Sequence, residues 1–204
     1  MDTASQQITV VGQGVVSAVP DVMRLNAGVE VRKAGAGEAF AGARAAAVRL
    51  TRTLAEAGIA AKDLRTSELS LGPEYENYPK VSAYRAAQGV EAVIRDLSQA
   101  DRIIDLVASI GEEARLNGVS FEISDPVKAL RDARDRAFHD ARGKAEQYAR
   151  LSGRPLGQVV AITEEVEGPP RPMMMAAAAA EQSSISPGEQ SVSVAVRVVY
   201  SFGA

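Results

Sequence analysis

The sequence contains no cysteine, no tryptophan and a single histidine, and aromatic residues make up only 4% of it. The absence of cysteine excludes disulfide bonds, thiolate catalysis and every cysteine-ligated metal site. One histidine cannot form a histidine cluster. No apolar run approaches the roughly 20 residues that a membrane-spanning helix needs. We therefore expect no transmembrane segment and few of the common kinds of catalytic or metal site.

An excess of positive charge is also missing. The chain has 23 Lys and Arg against 26 Asp and Glu, a formal net charge of −3. A nucleic-acid-binding protein normally carries a basic excess or a basic stripe, so we expect no nucleic-acid partner. What the sequence does have is 46% hydrophobic residues over 204 positions, enough for an aliphatic core.

Apolar and polar residues alternate with a period of two in several segments, which predicts strands. The predicted strands are 8–19, 22–32, 62–72, 81–97, 119–124, 156–167 and 192–202. The short Pro20-Asp21 link predicts a hairpin between the first two. Gly12 and Gly14 predict a bend in the first strand. The stretch 72–79 is rich in turn residues and predicts an irregular connection.

Three segments have helical periodicity. Spacings of three and four predict an amphipathic helix from Phe40 to Ala57, and a shorter helix follows within 98–111. Asp125-Pro126 is a strong start signal for the longest helix, which runs to about Ser152. The inner face of that helix is almost entirely alanine, which predicts close approach to a sheet or another helix.

The order of these elements favours an α+β fold: a mixed, mainly antiparallel sheet with helices packed on one face, about seven strands and three helices. A regular β-α-β alternation, typical of doubly wound sheets, is absent. No linker divides the chain. We predict a disordered segment at 1–7 and a single domain at 8–204, with an irregular loop rich in Pro, Met and Ala at 168–190.

No constellation of residues predicts catalysis, so we expect a protein that is not an enzyme and needs no cofactor or metal. The Gly12–Gly14 pair lacks the third glycine and the following helix of a dinucleotide site. His139 has no nucleophile-elbow serine to act on. Adjacent carboxylates at 164 and 165 point to opposite faces of a strand and do not converge.

The unusual segment is Met173, Met174 and Met175, followed by five alanines. Methionine is adaptable and favoured at interfaces, and a large exposed apolar loop is a liability on a monomer. These three residues are our candidate self-association site, and a homo-oligomer is the expected partner. A Cu(I) site, a membrane-touching loop and a locally packed or flexible loop remain alternatives.

The order and spacing of several short motifs resemble the SIMPL-domain family, in its branch of periplasmic immunogenic antigens and oxidative-stress-defence proteins. The resemblance extends over about residues 8–202. The motifs are Val10, Gly12, Gly14, Pro20-Asp21, Leu54, Gly58-Ile59, Asp63-Leu64, Thr66, Tyr75, Tyr84, Asn117-Gly118-Val119, Phe121, the Ala129–Ala149 helix with Lys144-Ala145, Gly153 and Leu156-Gly157.

This resemblance implies an α+β fold, no established catalytic residues, export to the periplasm, and roles in stress tolerance, antigenicity and self-assembly. No signal peptide is visible at the N-terminus, so we expect it to have been removed, with a cytoplasmic location as the alternative. The leading hypothesis is a non-enzymatic, self-assembling envelope protein. The alternative is a small-molecule or metal-binding module in oxidative-stress defence, whose ligand the sequence does not identify.

Overall fold

A computed structural model describes residues 7–165, 171–172 and 185–203. This part of the chain forms seven strands, a two-residue strand, three α-helices and two short 3-10 helices, which confirms the α+β class. The elements are β1 (Gln7–Ala18), β2 (Val22–Lys33), α1 (Ala36–Glu56), β3 (Leu64–Asn77), β4 (Lys80–Ile94), α2 (Ala100–Ala108), β5 (Ala114–Glu122), α3 (Val127–Leu151), β6 (Leu156–Glu165), β7 (Arg171–Pro172) and β8 (Gln190–Phe202). None of the described helices is long and apolar enough to cross a membrane.

The elements group into two compact units. The terminal unit contains β1, α3, β6, β7 and β8, and the central unit contains β2 to β5 with α1 and α2. Each unit has its own antiparallel sheet. The single-domain organisation expected from the sequence stays a prediction.

The central unit is built on an antiparallel sheet with the strand order β3-β4-β2-β5. One face of this sheet is apolar because alternate residues of β2 and β4 are apolar. Helices α1 and α2 cover that face. The resulting core contains Met23, Leu25, Ala27 and Val29 of β2, Leu50 and Leu54 of α1, Val90, Ala92 and Ile94 of β4, and Ile103 and Val107 of α2.

The terminal unit is a sheet with the order β1-β8-β6, to which β7 adds by pairing with β8. The alternating valines of β8 face α3, whose alanines at every fourth position are buried against them. This core contains Val10, Ala133, Ala137, Ala141, Ala145, Val194, Val196, Val198 and Tyr200. Asp125 starts the helix as expected, since its carboxylate accepts a hydrogen bond from the Val127 amide at 3.0 Å.

Gly12 and Gly14 have a different role from the bend predicted for them. Strand β1 is paired with β8 without interruption from Gln7 to Ala18. A Cβ atom at Gly12 would overlap the carbonyl oxygen of Ala137, and one at Gly14 would lie 2.5 Å from the Ala137 amide nitrogen. The glycines therefore allow the backbone of α3 to rest directly on the backbone of β1.

Two connections differ from the sequence predictions. The predicted hairpin between the first two strands is wrong: β1 pairs with β8, while β2 pairs with β4 and β5. The turn-rich stretch 72–79 is also not an irregular connection, since β3 continues to Asn77 and forms a tight hairpin with β4. Pro73 is compatible with this position because β3 is an edge strand, the place within a sheet where proline is normally found.

The two regions expected to be irregular are described only in part. Strand β1 begins at Gln7, and residues 1–6 lie outside the described residues. Within the predicted loop at 168–190, the backbone of Arg171 and Pro172 pairs with Ser191 and Gln190 of β8. That short piece of the loop is therefore strand.

Candidate functional site

The face of the central sheet opposite its helices carries charged side chains in two rows, which we name ladders. The first, the Glu91 ladder, crosses all four strands from Glu122 on β5 through Arg24 and Glu91 to Arg65 on β3. Its ion-pair distances are 2.5 Å, 2.7 Å and 2.7 Å. Such lengths are typical of strong charge-assisted hydrogen bonds.

Glu91 is the buried centre of this ladder, since only 9% of its side chain is exposed. The hydrogen bond from Arg65 lowers the pKa of the Glu91 carboxyl, and Arg24 adds to that effect against the opposing effect of burial. The hydrogen bonds that Arg24 donates to Glu122 and Glu91 raise the pKa of its guanidinium group. Each charged group of the Glu91 ladder therefore has its ion-pair partner within the ladder.

The second row, the Glu30 ladder, is looser. Arg115 lies 3.3 Å and Arg85 3.5 Å from the Glu30 carboxylate, and Arg85 lies 3.4 Å from Glu74. Only the Arg32–Glu74 pair is short, at 2.6 Å. Three guanidinium groups thus share two carboxylates, which leaves one excess positive charge. The long contacts leave donors of Arg85 and Arg115 free to bind another acceptor.

A shallow depression of about 160 Å³ lies between the ladders, and we name it the glycine slot. Its floor is the directly paired Gly28 and Gly89. In the same row, Arg115 pairs with Gly28 from β5 and Glu68 pairs with Gly89 from β3. The slot therefore has a positive end and a negative end. It is lined by Gly28, Val29, Glu30, Glu68, Ser70, Arg85, Ala87, Gln88, Gly89, Arg115 and Asn117.

Packing against neighbouring strands accounts for the two glycines. A Cβ at Gly89 would lie 2.5 Å from the Ser67 hydroxyl, and one at Gly28 would lie 3.0 Å from the Gln88 carbonyl oxygen. Their lack of side chains leaves the slot open. Among the described residues, neither the Glu68 carboxylate nor the Asn117 amide has a hydrogen-bond or ion-pair partner. Both are therefore available to a ligand.

A second cavity, of about 350 Å³ and more apolar, lies beside the end of α1 in the central unit. Its acidic side chains are already engaged. Asp63 accepts two hydrogen bonds from Arg95, which lower the pKa of its carboxyl. Asp96 accepts hydrogen bonds from the Ser98 hydroxyl and amide, which lower its pKa in the same way. This cavity therefore offers fewer free recognition groups than the glycine slot.

The edge strands of the two sheets differ in how they are protected. Side chains of α3 bind the backbone groups of β1 that face away from β8. Lys144 Nζ donates to Val11 O at 2.9 Å, and Arg136 donates to Val15 O at 2.5 Å. The Asp140 carboxylate accepts a hydrogen bond from Gln13 N at 2.8 Å. Hydrogen bonds from Lys144 and the Gln13 amide lower the pKa of Asp140. These contacts close the β1 edge to pairing with another strand.

Strands β3, β5 and β6 also lie at sheet edges and carry exposed apolar side chains. Among them, Leu69 on β3 is 60% exposed and Leu116 on β5 is 53% exposed. Among the described residues the set is Leu69, Leu71 and Tyr75 on β3, Leu116 and Val119 on β5, and Val159, Val160 and Ile162 on β6. Apolar residues on an edge that has no strand partner among the described residues are typical of surfaces that pair with another chain.

The self-association site proposed from the sequence stays a prediction. Met173, Met174 and Met175 lie outside the described residues. His139 is exposed on α3 and has no hydrogen-bond partner among the described residues. No group of three or more metal-ligating side chains occurs in the described ranges. The ladders were missed because their members lie far apart in sequence. The available signal was a glycine inside each of two alternating strands, at 28 and 89.

Comparison with known proteins gives one family. The model of the SIMPL family, described as a protein of unknown function (DUF541), matches residues 8–200. The 26 kDa periplasmic immunogenic protein of Brucella melitensis is 30% identical to this chain over an alignment of 219 residues. The alignment covers 98% of this chain and 86% of that protein. The uncharacterized protein YggE of Escherichia coli is 30% identical over 187 residues, covering 88% and 75% respectively.

Proposed function

Because this chain belongs to the SIMPL family, we propose that it is a non-enzymatic protein of the bacterial envelope that assembles with copies of itself through sheet edges. A periplasmic location is part of the proposal. It is supported by the similarity over nearly the whole chain to a Brucella protein whose name calls it periplasmic. A role in stress tolerance is what the resemblance implies for such an assembly.

The observation that carries self-assembly is the pair of exposed leucines on the edge strand β3. From Glu68 to Glu74 this strand pairs with β4 without a register shift, and its opposite edge has no partner among the described strands. Leu69 and Leu71 lie on the same face as the buried Ala86, yet they are 60% and 48% exposed. Two leucines on an open edge are a surface that monomers normally avoid.

A second copy of β3 is the occupant that this edge fits best. A two-fold axis places the same strand antiparallel to itself, so that one self-complementary surface closes the contact. Backbone groups then continue the sheet, and Leu69 and Leu71 of one copy pack against the same residues of the other. Met173, Met174 and Met175 supply a second contact surface in this proposal.

The test is the mass in solution, measured by light scattering after size exclusion at two protein concentrations. We expect the native chain to give a discrete multiple of 21.4 kDa. The Leu69→Lys/Leu71→Lys variant should shift toward the monomer, because a charge on an edge opposes pairing. Val48→Lys is the matched control, since this exposed valine lies on α1 and not on an edge.

Replacing Met173, Met174 and Met175 together with serine tests the second surface. We expect a lower mass or a stronger concentration dependence than in the native chain. An unchanged mass for this variant removes the methionines from the proposal. A native chain with a mass near 21.4 kDa at both concentrations contradicts self-assembly as a whole.

A further inference from the structure

We propose that the glycine slot binds a small zwitterion of the size of an α-amino acid. The ligand carboxylate would contact Arg115 and Arg85, and its ammonium group would contact Glu68. This binding does not depend on self-assembly and uses side chains to which no role has been given above. The juxtaposition that carries it is the row Arg115–Gly28–Gly89–Glu68 across four strands.

The width of the row suits a ligand with two charges. Neighbouring strands lie about 4.8 Å apart, so the Cα atoms of Arg115 and Glu68 are separated by about 14 Å. Both side chains line the slot, and the two positions between them are glycines without a side chain. The space between the two charged groups is then filled by a ligand with about 3 Å between its own charges and by one hydrogen bond of about 2.9 Å at each end.

The size of the slot limits the ligand further. Its volume of about 160 Å³ equals that of about five water molecules at 30 Å³ each. Pockets for drug-sized ligands and cofactors start at about 300 Å³. The slot therefore matches a molecule of roughly six to eight non-hydrogen atoms and is too small to enclose a nucleotide.

The distribution of charge favours a zwitterion over an ion of one sign. The Glu30 ladder has one excess guanidinium group, which attracts a carboxylate. The free Glu68 carboxylate at the other end attracts an ammonium group and repels an anion such as phosphate. An ion with a single charge satisfies one end and leaves the other unpaired.

The two ladders differ in a way that a purely structural role does not require. Ion pairs of the Glu91 ladder measure 2.5 to 2.7 Å, whereas Arg85 and Arg115 contact Glu30 at 3.3 to 3.5 Å. Arg115 is nevertheless held in place, because its Nη1 atom donates to the carbonyl oxygens of Glu112 and Ala114 at 2.8 Å. A positioned guanidinium group with a weak partner is suited to bind a carboxylate from solution.

The experiment is a titration of the ¹⁵N-labelled full chain, followed through the amide resonances of Gly28 and Gly89. The probes are L-serine, which carries both charges, and L-lactate and ethanolamine, which carry one each. At constant low ionic strength we expect saturable shifts with L-serine, with a dissociation constant on the order of 1 mM. Lactate and ethanolamine should bind at least tenfold more weakly.

Variants assign the two ends of the slot. Glu68→Gln should weaken L-serine at least tenfold and strengthen lactate, because lactate is no longer repelled by the Glu68 carboxylate. Arg115→Gln should weaken both. Glu76→Gln is the control, since this exposed residue lies on the same strand outside the slot and should leave serine binding unchanged. Retained dispersion of the amide spectrum shows that each variant is folded.

Three results would overturn the proposal. One is the absence of a saturable shift at Gly28 and Gly89 with L-serine. Another is equal binding of L-serine and L-lactate, which identifies a simple anion site. The last is unchanged L-serine binding in the Glu68→Gln variant, which would show that Glu68 does not bind the ammonium group.

Discussion

The contact between α3 and β1 predicts a large effect from the addition of one methyl group. In Gly12→Ala the new Cβ would overlap the Ala137 carbonyl oxygen and lie 2.5 Å from the Ala141 amide nitrogen. The atoms that the new Cβ meets are main-chain atoms of Ala137 and Ala141 and the Cβ of Ala141. None of them can move by a rotamer change, so the overlap is not relieved in that way. The helix itself must move away from the strand.

The size of that movement sets the magnitude. Carbon atoms in contact prefer about 3.5 to 4.0 Å, and a gap of 0.5 to 1 Å already loses a quarter to a half of the dispersion energy. A displacement of about 1 Å therefore weakens the packing of Ala133, Ala137 and Ala141 together. Overpacking costs about 1 to 3 kcal/mol when side chains can adjust. Because only backbone can adjust here, we expect a loss of about 3 kcal/mol.

Urea unfolding followed by far-ultraviolet circular dichroism measures this loss. With a slope of about 3 kcal/mol per molar urea, the midpoint of the transition that reports the terminal unit falls by about 1 M. Gly143→Ala is the matched control in α3, since a Cβ there meets no atom within 4 Å. Alanine is the better helix former, so this control should gain about 0.5 to 1 kcal/mol. A Gly12→Ala midpoint equal to that of the native chain would refute the close approach.

Three further predictions concern buried or paired polar groups. Asp140→Ala removes the acceptor of the Gln13 amide and the partner of Lys144, and we expect the free energy of unfolding to fall by about 1 kcal/mol after allowance for exposure. Hydrogen exchange of the Gln13 amide should accelerate. An unchanged exchange rate would contradict the closed β1 edge. The pKa of Glu91 is lowered on folding, so its stabilisation is complete above its unfolded pKa of about 4.3 and is lost as the pH falls through the lower folded value. Urea midpoints from pH 7 to pH 3 should therefore fall less steeply in Glu91→Gln, and parallel curves would argue against this. The buried Tyr200 hydroxyl has no hydrogen-bond partner among the described residues, so Tyr200→Phe should be neutral or stabilise by up to about 1 kcal/mol in the same assay, and a clear loss would indicate an unrecognised partner.

The class of the fold was predictable because local periodicity determines it. Alternation on β8 and the spacing of alanines on α3 each specify one buried face, whatever the partner of that face is. The pairing of strands was less accessible. The Pro20-Asp21 link joins β1 to β2 in sequence, but the contacts of these strands are with β8 and β4, which lie far along the chain. Turn chemistry alone does not distinguish a hairpin from a passage between two sheets.

The candidate site was harder to predict for a related reason. Glu91 alternates with apolar neighbours and has the pattern of a solvent-facing residue of a strand. Its burial depends on Arg24 and Arg65, which are 67 and 26 residues away. Gly12 and Gly14 were recognised as unusual, but the reason for them lies on a helix more than 100 residues later. Such pairs are defined by the tertiary structure and not by local propensity.

The pairing of β1 with β8 also determines how the terminal unit responds to mechanical force. Gln7 pairs with Ser201 at one end of this ladder and Ala18 pairs with Gln190 at the other. The two outermost segments of the described chain therefore leave the sheet side by side. A load applied between them separates the strands one residue pair after another, as in unzipping, and does not shear all pairs at once. Detachment of β1 also removes the surface on which α3 rests, so stretching from the ends destabilises the terminal unit at low force.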